Sequence, residues 1–306
     1  MTRHLLDIDD LTAGELGAVL AAAVDPAPPA VLAGRGVALL FAKPSARTRN
    51  ATEMAVVALG GHPLTMRAEE VGLDVRETAE DVARTLACYH AAVCARVFDH
   101  HQLERMAAVV DVPVVNLLSD RAHPCQAIAD LLTLQARFGG LAGLTVAYLG
   151  DWNNVARSLG LALGLSGATL RLACPPGYGP SDADLDQLAA AAARPEVCSR
   201  PADAAAGANA LYTDVWTSMG QEAEAETRRR AFEGWTVDER LMGLAAADAV
   251  FLHCLPAHRG EEVSPAVLDG PASLVWPQAA NRLTAARGVL AWLLTEPGDR
   301  PGPSHR

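Results

Sequence analysis

The chain has 306 residues, of which 50% are hydrophobic and 20% charged, and its formal net charge is −11. Such a chain is long enough for two domains and is neither fibrous nor disordered. The acidic balance excludes a general nucleic-acid binder, and no apolar run approaches the roughly 18 residues of a membrane span.

Acids in the N-terminal MTRHLLDIDDLTAGEL stand where a secretory signal would be apolar, so a cytoplasmic location is expected. The six cysteines (88, 94, 125, 174, 198 and 254) form no Cys-x-x-Cys pair. That argues against a zinc ribbon or a redox couple and fits reduced thiols. Lys43 is the only lysine. In so acidic a chain, arginines gathered beside it suggest a specific small anion as ligand.

In chain order, strands are predicted at GVALLF (36–41), AAVCAR (91–96), VPVVN (112–116), LTVAYLG (144–150), ATLRLAC (168–174), ANALYTD (208–214) and AVFLHC (249–254). Most are continuous apolar runs, as parallel strands buried on both faces read. Between them lie helical stretches such as ETAEDVARTLACYH, DRAHPCQAIADLLTLQARF and NVARSLGLALGLSG. This alternation predicts an α/β protein of two doubly wound domains, each with a central parallel sheet flanked by helices. Glycines in FGGLAGL (138–144) place a boundary near residue 140, giving domains over 1–140 and 141–283.

Ligands bind at the carboxyl ends of strands in such sheets, and the chemically suggestive segments follow predicted strands. KPSARTRN (43–50) follows the first. A helix N-terminus with Ser45, Arg47 and Thr48 would cradle phosphate; a capping serine among surface arginines is the plain alternative. In HPCQ (123–126), His123 and Gln126 share one side of a helix start and suit a small carbonyl group, or His123 is a turn residue. GDWNN (150–154) lacks a dinucleotide-binding glycine pattern; Asn153 reads as a cap, and Asn154 as a cap or a carboxylate donor. DVWTSMGQE (214–222) offers an acid, a hydroxyl and backbone N–H groups, which suits an α-amino acid zwitterion. Cys254 in HCLP and Arg282 in NRL read as a buried thiol and a surface arginine, or as site residues.

Together, SARTR (45–49), HPCQ (123–126), DVWTSMG (214–220), HCLPAHRG (253–260) and NRL (281–283) resemble the aspartate/ornithine carbamoyltransferase family in order and approximate spacing. The resemblance runs over nearly the whole chain, and DVWTSMG and HCLP indicate ornithine as the acceptor. It implies that Ser45, Ala46, Arg47 and Thr48 bind the phosphate of carbamoyl phosphate and that Arg96 bridges phosphate and carbonyl. His123 would donate to the carbonyl oxygen, with Gln126 and Arg282 on the carbamoyl group. Asn154, Asp214, Ser218 and the Met219 backbone would hold the α-amino and α-carboxylate groups of ornithine. Cys254 and the Leu255 carbonyl would lie at the reacting δ-amine, beside the carbamoyl group. Arg47, Arg96, His123, Asp214, Cys254 and Arg282 are the expected catalytic set. The implied products are citrulline and phosphate, made for arginine biosynthesis without metal or organic cofactor. A homotrimer, and a C-terminal helix at about 284–296 packing back on the first domain, are also implied. A paralogue using another amine, or one that binds ligand without turnover, are the alternatives.

The chain departs from the family pattern at SARTRNATE, where relatives often carry an apolar-Ser-Phe after the second arginine. A larger departure is RAEEVGLDVRET (67–78), which lacks the family's glutamine. Glu69, Glu70 and Asp74 there are expected to repel an anion, with Arg76 as counterweight.

Overall fold

The computed structural model describes residues 2–191, 193–217 and 222–295. The chain forms two compact units: one runs to Leu132 and resumes at Ala280, and the other is Thr133–Ala279. Both divisions fall inside helices, so Arg282 belongs to the first unit.

The first unit alternates α1 (Ala13–Val24), β1 (Gly36–Phe41), α2 (Ala46–Ala58), β2 (His62–Arg67), α3 (Ala68–Val71), α4 (Ala79–Ala87), β3 (His90–Arg96), α5 (His100–Ala107) and β4 (Val114–Leu118). Helix α6 (Pro124–Phe138) follows, and α13 (Val275–Leu294) supplies the last turns. The sheet order is β2-β1-β3-β4, with every pair parallel. Leu40, Val93, Leu103 and Met106 meet in its core. Helix α1 starts on a Thr12–Glu15 capping box, which satisfies N–H groups left open at a helix start. Gly288 of α13 lies so close to α1 that an added Cβ would fall 2.5 Å from Ala23 Cβ.

The second unit contains β5 (Thr145–Leu149), α7 (Asn154–Leu165), β6 (Thr169–Ala173), α8 (Asp182–Ala190), β7 (Glu196–Cys198), α9 (Pro201–Ala205), β8 (Ala210–Thr213), α10 (Ala225–Ala231), α11 (Glu239–Met242), β9 (Val250–His253) and α12 (Pro265–Leu268). Its sheet order is β7-β6-β5-β8-β9, again parallel throughout. Leu149, Leu211, Phe232 and Phe251 centre its core.

The predicted class is therefore the observed one, two parallel sheets flanked by helices, and each predicted strand is present. Strands β2 and β7 were not predicted, and both are sheet edges. Strand β2, HPLTMR, has no fully buried residue, and β7 spans three residues. Edge strands carry polar residues and stay short, so they give no continuous apolar run. Strand β4 starts two residues later than expected, just after Pro113, which cannot donate to a ladder.

Candidate active site

In the first unit, the segment after β1 turns at Ser45 into α2. Ser45 is the N-cap, its Oγ accepting from Thr48 N at 3.2 Å. No acid occupies the first turn of α2, so the positive end of the helix is not quenched from within. Arg49 pairs with Glu53 at 2.8 Å. Arg47 is exposed, and it is absent from the ion pairs among the described residues. Ala46, also exposed, brings a backbone N–H to the same turn. A cleft of about 570 Å³ adjoins this turn, lined by Lys43, Ser45, Ala46, Arg49 and Glu69 among others.

Behind the turn is a buried polar cluster assembled from four elements. Thr48 of α2 is 4% exposed, Arg96 at the end of β3 8%, Gln126 of α6 1% and Arg282 of α13 8%. Thr48 Oγ1 accepts from Arg282 Nη2 at 2.6 Å and from Arg96 Nη1 at 3.3 Å. Both acceptor sites of the hydroxyl are thereby used, and its own proton is the group left to offer. Gln126 Oε1 accepts from Arg282 Nη1 at 2.8 Å, and its amide donates to Asp130 Oδ1 at 2.8 Å. That fixes which way the Gln126 amide faces.

His123 immediately precedes α6, whose first residue is Pro124, a residue suited to a first helical turn. The ring is 3% exposed. Burial first, and then the nearby Arg282 and Arg96 cations, push its pKa well below the ordinary histidine value. The ring is therefore neutral at physiological pH. It keeps one N–H to donate and adds no third charge to the cluster.

In segment 67–78, two of the three acids expected to repel an anion, Glu70 and Asp74, are engaged locally, while Glu69 lines the cleft beside the turn. Asp74 receives Arg105 Nη1 and Nη2 at 3.0 Å each, Gln102 Nε2 at 2.8 Å and Ala79 N at 3.0 Å. Its charge is answered locally: burial raises its pKa, but the Gln102 and Arg105 bonds together outweigh this and hold it below the usual carboxylate range. Glu70 accepts from Arg67 N at 3.1 Å and pairs with the Arg67 side chain. Arg76 Nη2 reaches the Glu70 carbonyl at 3.5 Å, a marginal contact. The turn itself needs Gly72 at φ 67, where a Cβ would fall 2.7 Å from Arg76 Cβ.

In the second unit, the loops after β5, β8 and β9 carry the remaining predicted residues. Asp214, 6% exposed, is bracketed by donors that carry no charge. Val215 N and Cys254 Sγ donate to Oδ1 at 2.8 and 3.0 Å, and Asn153 Nδ2 donates to Oδ2 at 2.9 Å. Asn153 also caps α7, its Oδ1 accepting from Val155 N and Ala156 N. Its amide is thus oriented by the helix before it meets the acid. Asn154 opens α7 and is partly buried. Leu255 sits at φ 59, a left-handed conformation costly for a γ-branched residue. His253 Nδ1 accepts its N–H at 2.8 Å, and His253 Nε2 contacts Glu262 Oε1 at 3.2 Å. Ser218 and Met219 lie outside the described residues.

Thus Ser45, Thr48, Arg96, His123, Gln126 and Arg282 gather in the first unit, and Asp214 and Cys254 in the second. Sequence reading missed the second role of Asn153, and it missed Arg105, His253 and Glu262 altogether. For Glu262 the available signal was an acid within HCLPAHRGEEV; for Arg105 there was none.

Residues 3–136 match the family described as aspartate/ornithine carbamoyltransferase, carbamoyl-P binding domain. Residues 142–293 match aspartate/ornithine carbamoyltransferase, Asp/Orn binding domain. An ornithine carbamoyltransferase of Acidothermus cellulolyticus is 49% identical, covering 99% of this chain and all of its own length. An anabolic ornithine carbamoyltransferase of Pyrococcus furiosus is 44% identical over 95% of this chain and 96% of its own. Among solved structures, ornithine carbamoyltransferase from Thermus thermophilus superimposes with a TM-score of 0.88 at 45% identity, covering 96% of this chain and 100% of that one.

Proposed function

The chain belongs to the aspartate/ornithine carbamoyltransferase family, and from that premise we propose how its residues serve the reaction. The protein transfers the carbamoyl group of carbamoyl phosphate to the δ-amine of L-ornithine, giving L-citrulline and phosphate. This step serves arginine biosynthesis. The observation that carries the reading is the buried Arg96–Thr48–Arg282–Gln126 cluster beside a neutral His123.

Residues of the first unit bind carbamoyl phosphate. Arg47, Ser45, Ala46 and Thr48 meet the phosphate at the open N-terminus of α2, and Arg96 joins phosphate to carbonyl. When the neutral δ-amine attacks the carbamoyl carbon, negative charge grows on the carbonyl oxygen. His123 N–H, the Thr48 hydroxyl and Arg96 are donors suited to that oxygen, and the bonds of Thr48 to Arg96 and Arg282 hold the latter two donors in place beforehand. Losing one such donor costs about 10²–10³ in rate. Gln126, its amide already turned by Arg282 and Asp130, reads the carbamoyl NH₂. Arg282 faces the same group. As the tetrahedral intermediate collapses, phosphate leaves and itself accepts the amine proton, so no strong protein base is required.

Residues of the second unit bind ornithine. Asp214 meets the α-ammonium, while Asn154, Ser218 and the Met219 N–H meet the α-amino acid end. The Cys254 thiol and Leu255 carbonyl face the δ-amine. Neutral bracketing of Asp214 supports this assignment, because the carboxylate is oriented without being neutralised. The protein works in the cytoplasm as a homotrimer; six free thiols fit a reducing compartment.

The test is citrulline formation from carbamoyl phosphate and ornithine, with Arg47→Ala as control and putrescine, lysine and N-acetylornithine as competing acceptors. Turnover with ornithine alone, abolished in the control, is expected. Preference for another amine would overturn the acceptor assignment. Stabilisation by carbamoyl phosphate without turnover would mark a binder.

A further inference from the structure

Three consecutive arginines, 228 to 230, close α10, and they behave differently. Arg229 and Arg230 pair with Glu226 at the surface, at 3.0 Å each. Arg228 is 6% exposed and points into the second unit. Its Nη1 donates to Asp151 Oδ2 at 2.7 Å and to the Trp216 carbonyl at 3.1 Å, and its Nε donates to Glu224 Oε2 at 3.1 Å. The guanidinium lies 5.1 Å from the Tyr178 ring centre. Under it, Trp216 tilts against Phe232 at 5.6 Å and Tyr178 meets Phe232 edge-on at 4.9 Å.

These contacts bear on Asp214 from both sides. Asp151 lies two residues before Asn153, whose amide holds the Asp214 carboxylate. Trp216 lies two residues after Asp214 and carries the chain toward Ser218. One planar fork therefore ties the loop after β5, the loop after β8 and the start of α10 to a single point. A point charge such as lysine cannot satisfy these acceptors in the same geometry.

We infer that Arg228 is a positioning residue for the acceptor side, holding the Asp151–Asn153 and Asp214–Trp216 segments in the register that ornithine requires. This rests on the assignment of ornithine to the second unit and extends it to a residue that touches no substrate.

The experiment compares wild type, Arg228→Lys, Arg228→Met and the surface control Arg229→Gln. In steady-state assays, Arg228→Lys raises KM for ornithine about tenfold and Arg228→Met about a hundredfold, the range of a lost charged hydrogen bond. KM for carbamoyl phosphate and kcat stay within about twofold, and Arg229→Gln changes neither. A merely structural role would lower kcat or folded yield and leave the two KM values in their original ratio, which would overturn the inference. Amide hydrogen exchange of peptides covering 211–217 gives a readout that needs no turnover. It accelerates about tenfold in Arg228→Lys, while peptides of the first unit are unchanged. Unaltered exchange there would overturn the inference even in a protein that makes no citrulline, whereas failure of wild-type turnover would count against the functional assignment alone.

Discussion

Arg282 and Arg228 are both buried arginines on helices, yet they bond to different kinds of oxygen. Arg282 gives its two Nη groups to the Thr48 hydroxyl and the Gln126 amide, and Arg96 joins it on the same hydroxyl. Arg228 gives its nitrogens to the carboxylates of Asp151 and Glu224 as well as to a backbone carbonyl. Neutral acceptors orient a guanidinium without themselves cancelling its charge. Carboxylates orient it and cancel the charge, which suits a brace inside the fold. The acceptors of a buried arginine thus bear on its role before any ligand is considered. Asp214 follows the same rule with opposite sign, because the donors around it are a backbone amide, a side-chain amide and a thiol.

The largest effect that would break this comparison comes from Arg282→Met. It removes a charge and leaves Thr48 Oγ1 and Gln126 Oε1 each short of a donor. Turnover of citrulline should fall by about 10²–10³. If the loss matched that of Arg228→Met in size and fell on the KM for ornithine, the distinction between charge-presenting and charge-cancelling arginines would fail. Next is Asp214→Asn, which keeps the shape and removes the charge. It should reduce kcat/KM for ornithine about 10–100-fold while carbamoyl phosphate still raises the melting temperature as in wild type. Loss of that ligand stabilisation would show that the two substrate sites cannot be separated in this way.

His123 sharpens the comparison through pH. Buried beside two cations, its pKa in the folded protein lies well below the ordinary value, near 6.5 for an unfolded chain. Below about pH 6.5 the unfolded chain takes up a proton that the folded ring refuses, so stability drops as pH falls, by at most about 1.4 kcal/mol per pH unit. Above that pH the term vanishes. Urea midpoints between pH 7.5 and 5 should therefore fall less steeply in His123→Asn than in wild type. Turnover behaves differently. It should rise from pH 6 to 9, because the attacking amine must be neutral and a lysine-like amine has a pKa of about 10.4. A flat profile would contradict that chemistry.

The segments that carry several polar groups close together were readable in the chain. SARTR, HPCQ and HCLP each place several polar groups within one turn, and local geometry then does the rest. What escaped the sequence were partners brought together from afar. Asn153 reaches Asp214 across 61 residues, Arg228 reaches Asp151 across 77, and Arg105 reaches Asp74 across 31. Nothing in the periodicity of either segment marks such a pair, since each residue taken alone looks like a cap or a surface charge. The missed strands fail for a related reason: β2 and β7 pair on one side only, and their exposed residues dilute the apolar signal.

The smallest effect concerns the departure at 67–78. Read alone, Asp74 is an acid in a segment expected to approach an anion. In the fold it is an anchor, joined to α5 by Arg105 and Gln102, with Arg105 shared by Glu80. Arg105→Met frees two carboxylates at once. Because these groups are near the surface, screening keeps the structural loss small, and the melting temperature should drop by only about 1–3 °C. The functional consequence is more telling. If Asp74 and Glu80 are released toward the phosphate side, KM for carbamoyl phosphate should rise about two- to fivefold and the increase should shrink in 0.5 M salt, as about 4 Å of Debye screening predicts. Arg105→Met with Asp74→Asn should then recover part of the affinity. An unchanged KM in the single variant would mean that Asp74 and Glu80 do not influence the anion even when unpaired.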